Sequence, residues 1–155
     1  SSAASDVYKR QIMSRTDSRA VYGIDDAIER TKRYIDAGAE ICFADGIGTR
    51  EELEKFAKEL SGSGAYLVAN MIEGGKTPLI PAKELEQMGF SLVFWACSAV
   101  YTISKALYDL FGNLAQDGTT EKSLDRMIEF SQFNSMIGLD TYKEYERKYK
   151  VDRDD

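Results

Sequence analysis

Histidine is absent from the 155 residues. A Ser-His-Asp triad, a Cys-His pair or a histidine-held metal therefore cannot be built from this chain alone. Its chemistry falls to carboxylates, arginine, amides and hydroxyls. Cysteine is nearly absent: Cys42 and Cys97 are too few and too isolated for a disulfide scaffold. They fit a reducing compartment, so a cytoplasmic location is expected. No apolar run approaches the roughly 20 residues needed to cross a bilayer, and no membrane partner is expected. Positive charge is also short, with 20 Lys and Arg against 26 Asp and Glu and a formal net charge of −6. No basic patch is visible, which argues against a nucleic-acid partner.

What is present suits a globular domain. Hydrophobic residues make up 43% and charged residues 30% of a chain long enough for one sizeable core. Residues 1–11 match neither a signal peptide nor a transit peptide and read as a spurious or disordered leader, set aside from the fold argument. From Ile12 a beat of strand, loop and helix repeats. Ile12-Met13-Ser14 runs into polar Arg15-Thr16-Asp17, and a helix is expected from about Asp25, closed near Gly38. Ile41 to Ala44 is the next strand, ending at Asp45. Thr49 and Glu52 form a capping box before a helix carrying Leu53, Phe56, Ala57 and Leu60.

A third strand, Ala65 to Ala69, ends at Asn70. A loop through Glu73-Gly74-Gly75-Lys76-Thr77-Pro78 then leads to a short helix that starts at Pro81 and is closed by Gly89. Phe90 to Trp95 is the fourth strand. Ser98 is placed as the cap of a long helix with an expected buried stripe of Val100, Ile103, Leu107, Leu110, Phe111 and Leu114. Residues 119–150 are read as two C-terminal helices, the first carrying Leu124, Met127 and Ile128, the second a stripe of Tyr142, Tyr145 and Tyr149. Residues 151–155 are a solvated tail.

Four successive βα units over residues 12–118 imply parallel strands joined by crossovers. Each strand ends in polar residues, as in barrels whose sites sit at strand C-terminal ends. The segment after the first strand is not a glycine-rich dinucleotide fingerprint, which disfavours a doubly wound sheet. Four strands cannot close an eight-stranded barrel, so the fold expected is the C-terminal half of a (β/α)₈ TIM barrel, units 5–8, plus the C-terminal helices. A typical barrel needs about 250 residues, which leaves roughly half outside this chain.

Several segments resemble a known family. Ile12-Met13-Ser14-Arg15-Thr16-Asp17-Ser18 is similar to the Ile-x-Ala-Arg-Thr-Asp-Ala segment of the isocitrate lyase and phosphoenolpyruvate mutase superfamily. Gly23-Ile24-Asp25-Asp26-Ala27-Ile28-Glu29-Arg30, Ala37-Gly38-Ala39-Glu40 and Ala69-Asn70-Met71-Ile72-Glu73-Gly74-Gly75-Lys76-Thr77-Pro78-Leu79 follow in family order. Phe133-Asn134 and Ile137-Gly138-Leu139 resemble its late helices. The resemblance implies Mg²⁺-dependent enolate chemistry on a small 2-hydroxy or 2-oxo dicarboxylate, by a lyase of the 2,3-dimethylmalate lyase or carboxyphosphonoenolpyruvate mutase-like subgroup. It implies a homotetramer with exchange of a late helix. The other readings are a phosphonate-forming or phosphoryl-transferring mutase or hydrolase, and a non-catalytic half-barrel assembly module.

By the same resemblance Arg15 would hold a substrate carboxylate or the developing enolate, a task that suits a planar bidentate cation. The alternative is a rim ion pair with Asp17. Asp45 stands where the family usually has a glutamate supporting metal or substrate; a strand-end helix cap is the other reading. Asn70 would bind the substrate carboxylate through its amide, beside the Met71 and Ile72 backbone, unless it only makes an Asx turn. Thr77 is a weaker rim candidate. Tyr101 and Phe130 stand where tricarboxylate-cleaving members carry arginines, which speaks against isocitrate-like substrates. The family's metal-binding aspartates and Lys-Lys-Cys-Gly-His loop lie upstream of Arg15 and are not in this chain, so no catalytic or metal residue is assigned. Cys42 and Cys97 read as core thiols. Gly-Lys-Thr at 75–77 superficially matches a phosphate loop, but Asn70 replaces its first glycine and Pro78 follows at once.

Overall fold

The computed structural model describes residues 10–150. The tail expected at 151–155 and all but Arg10 and Gln11 of the leader expected at 1–11 lie outside the described residues. The strands are β1 Met13–Thr16, β2 Ile41–Ala44, β3 Tyr66–Met71 and β4 Leu92–Trp95. They form one parallel sheet in the order β1-β2-β3-β4. Chain order and spatial order coincide, with no reversal of the kind that marks a doubly wound sheet. The sheet is an open run of four of the strand-helix units of a (β/α)₈ barrel, as expected.

The connecting helices are α1 Arg19–Tyr22, α2 Ile24–Asp36, α3 Arg50–Glu59, α4 Ala82–Met88 and α5 Ser98–Asp117. A 3₁₀ turn at Glu121–Arg126, α6 Phe130–Met136 and α7 Leu139–Tyr149 follow. The chain divides into two compact units, one ending at Thr102 and one beginning at Ile103. Among the described residues no helix is long and apolar enough to cross a membrane.

Local sequence explains the boundaries. Asp25 and Asp26 occupy the first turn of α2, where carboxylates meet the positive end of the helix dipole. Gly38, at φ +100°, reverses the chain after α2, and the Ala39 N–H reaches back to the Tyr34 carbonyl at 2.9 Å. Thr49 caps α3 by accepting the Glu52 N–H at 3.2 Å. The Glu52 carboxylate then takes the Gly48 N–H at 2.8 Å and Arg19 at 2.7 Å, tying the β1–α1 and β2–α3 loops together.

The pleat divides each strand between two faces. Cys42, Ala44, Leu67, Ala69 and Met71 join Ala27, Ile28, Leu53, Phe56 and Leu85 in the core between sheet and helices. Phe90 stacks on Phe56 at a ring separation of 6.4 Å. The alternate residues face the other way: Phe43 and Phe94 meet edge-to-face at 6.2 Å. This second face is covered only at its centre. Phe43 and Val68 are buried, while Met13, Tyr66, Leu92 and Phe94 remain exposed.

Several expectations are corrected. β1 runs two residues further than expected and includes Arg15; β3 runs on through Asn70 to Met71; β4 starts at Leu92, leaving Phe90 in the core. The short α1 was not anticipated. Leu124 lies in a 3₁₀ turn and Met127 is extended, so the first C-terminal helix begins only at Phe130. The α5 stripe is not buried: Val100, Ile103, Leu107, Phe111 and Leu114 are all exposed. Ser98 is the first residue of α5, and its hydroxyl turns to Glu73. Cys42 is buried as expected, but Cys97 only half so.

Phe56 is fully enclosed. Phe56→Ala is expected to lower unfolding free energy by about 3–5 kcal/mol, read as a fall in the urea midpoint at unchanged slope.

Candidate functional site

Strand parity builds the site. Positions 13, 15 and 17, then 41, 43 and 45, then 66, 68 and 70 alternate onto the face opposite the helices, and the register pairs Arg15 with Phe43 and Asn70 with Phe94. Arg15, Asp45 and Asn70 thus arrive together at the C-terminal ends of three adjacent strands, the side where barrel chemistry is placed.

Their side chains are linked. Arg15 Nη2 donates to Asp45 Oδ2 at 2.8 Å, and Asn70 Nδ2 donates to Asp45 Oδ1 at 3.2 Å. Arg15 also grips Asp17, Nη2 to Oδ1 at 2.7 Å and Nε to Oδ2 at 3.1 Å. Its guanidinium lies 5.1 Å from the Phe43 ring centroid, a cation–π contact. The rim ion pair and the convergent cluster are therefore both present. Because Arg15 and Asp17 are more than half exposed, at 52% and 64%, their pair contributes orientation more than stability. Asp45, at 27%, is the sheltered member.

Asn70 presents an unexpected face. Its amide nitrogen is turned to Asp45, since a carbonyl there would meet a carboxylate. That leaves its Oδ1 buried with no hydrogen-bond partner among the described residues. An unpaired buried acceptor calls for a donor, such as a ligand hydroxyl or an ammonium. Ile72 lines the adjoining cleft of about 250 Å³ together with Asp17, Asp45, Asn70, Lys76 and Thr77. Met71 does not reach it by its side chain, which is fully buried toward the helices and accepts the Ile80 N–H at its sulfur. A larger groove of about 730 Å³ follows the free edge of β4 past Leu85 and Phe90, and none of the convergent polar groups borders it.

Two further residues stand at the site, and the sequence assigned them no role there. Glu73 accepts a hydrogen bond from the Ser98 hydroxyl at the start of α5, and its second oxygen is buried without a partner. The Ser98 hydroxyl, followed by Glu73's own N–H, holds that carboxyl below the usual range. Lys76 stands in the cleft wall. Spacing alone gave one hint, since both lie within six residues of Asn70 on a single loop.

The donors do not by themselves fit a resident divalent ion. Among the described residues no three Cys, Asp or Glu side chains converge. Both Asp45 oxygens are committed, one of them to a guanidinium 2.8 Å away that would repel a cation.

This is a carboxylate-lined and arginine-anchored mouth on a segment of a (β/α)₈ barrel. The family described as phosphoenolpyruvate phosphomutase matches residues 1–115, and the chain belongs to it. It is 39% identical over 142 residues to 2,3-dimethylmalate lyase of Eubacterium barkeri, covering 92% of this chain and 48% of that protein. It is 39% identical over 141 residues to chloroplastic carboxyvinyl-carboxyphosphonate phosphorylmutase of Arabidopsis thaliana, covering 89% and 41%. A crystal structure of 2,3-dimethylmalate lyase, described as a PEP mutase/isocitrate lyase superfamily member, superposes with a TM-score of 0.82 at 28% identity over 95% of this chain and 51% of that one. The chain spans about half the length of the relatives it matches.

Hydrogen bonding to Arg15 holds the Asp17 carboxyl below its ordinary range. Because the folded value is depressed, its stabilising contribution is present above the ordinary carboxylate range and is lost as pH falls through the folded value. A carboxyl-carbon NMR titration is expected to place the Asp17 midpoint below that of an unpaired aspartate, and Arg15→Ala to return it upward.

Proposed function

We propose that this chain is the substrate-anchoring part of a carbon-carbon bond lyase acting on a small 2-hydroxy or 2-oxo dicarboxylate through an enolate intermediate. The observation that carries this reading is the hydrogen-bonded chain Arg15–Asp45–Asn70 at the strand C-terminal ends. When the bond beside a carboxylate breaks, negative charge gathers on the oxygens of the enolate fragment. A guanidinium fixed in advance by two carboxylates stabilises that charge without reorganising at the moment of reaction. Asp45 orients Arg15 and Asn70 together, while the unpaired Asn70 carbonyl accepts a hydrogen bond from a substrate hydroxyl. The Mg²⁺ that the resemblance implies would be held by the family's upstream aspartates. Exposed apolar residues along α5 support assembly into a homo-oligomer by helix exchange, and two unpaired thiols support a cytoplasmic location.

The second reading is a phosphoryl-transferring mutase, favoured by equal identity to the Arabidopsis phosphorylmutase. A coupled assay for pyruvate release from substituted malates separates the two. Joined to the upstream metal aspartates and Lys-Lys-Cys-Gly-His loop, the protein is expected to release pyruvate. The 155-residue chain alone is expected to show no turnover with Mg²⁺, and measurable lyase activity from it would contradict the proposed division of labour.

A further inference from the structure

The Gly75-Lys76-Thr77 segment, unsuited to cradling phosphate, has a different use. The Gly75 N–H closes a tight turn on the Ile72 carbonyl at 3.0 Å, with Gly74 at φ +73°. A Cβ on Gly75 would lie only 3.0 Å from that carbonyl oxygen and 3.2 Å from the Ile72 Cβ, so a larger residue would crowd the turn unless Ile72 gave way. Beyond this turn, Lys76 and Thr77 enter the wall of the cleft that Asp45 and Asn70 also line. Lys76 is the one cation in that wall and has no ion pair or hydrogen bond among the described residues.

Charge balance gives this lysine a purpose. Asp17 and Asp45 against Arg15 leave one excess negative charge at the mouth, which repels a dianion. Lys76 cancels it. Its ammonium is a compact charge on a flexible four-carbon stem, able to follow a carboxylate whose distance varies with substrate. We propose that Lys76 binds the substrate carboxylate remote from the one at Arg15, and so selects dicarboxylates over monocarboxylates. The assignment rests on the carboxylate-binding reading of the cleft.

Malate and lactate differ in that remote carboxylate and share the 2-hydroxy acid end. Their dissociation constants for the 155-residue chain can be read by amide NMR titration, with circular dichroism checking the fold of each variant. Lys76→Met, which keeps the stem, is expected to weaken malate about three- to tenfold and lactate by less than about twofold; Lys76→Arg should keep malate affinity. Arg15→Ala should weaken both acids. If Arg15→Ala weakens both but Lys76→Met alters neither, or both alike, Lys76 has no such role and the anchoring reading stands. If Arg15→Ala changes neither, or the unaltered chain binds neither acid, the anchoring reading falls and takes this assignment with it.

Discussion

One carboxylate, Asp45, is shared between a guanidinium and an amide, and the candidate site takes its shape from that sharing. Three strands supply the partners. Parallel pairing puts Arg15 beside Phe43 and, two residues on, brings Asp45 within reach of both neighbours. A slip of one residue in any register would turn one of the three toward the helices. The helix-facing core enforces that register, because the same slip would expose Cys42 and Ala44 or Leu67 and Ala69. The polar cluster is thus fixed by apolar packing on the opposite side of the same strands.

The clearest parts of the fold in the sequence were those with strong local chemistry. Thr49 with Glu52, Gly38 and Gly89 marked helix ends that the structure reproduces, since capping and positive φ are decided by a few neighbouring residues. Sequential β and α segments gave the parallel order. Strand ends are less legible: polarity marks Arg15 and Asn70 as the first residues beyond their strands, yet both are inside. In a half-covered sheet a polar residue can continue a strand when its face opens to a cleft. Arg15, Asp45 and Asn70 could be named from the family resemblance. The direction of the Asn70 amide could not, because it depends on a carboxylate 25 positions away.

The misread α5 has a related cause. Periodicity reports that a helix has an apolar side, not what covers it. The exposed apolar residues of α5, and Met13, Tyr66, Leu92 and Phe94 on the sheet, are surfaces of a kind that soluble proteins cover. The open face of the sheet accords with a chain that spans about half the length of its relatives.

The Glu73–Ser98 hydrogen bond ends the first turn after β3 at the opening of a 20-residue helix. The loop and the helix start are therefore tied together: Ser98 cannot shift without pulling on the backbone three residues before Lys76. A shift of that first helical residue would be felt at the mouth as a change in where one positive charge stands.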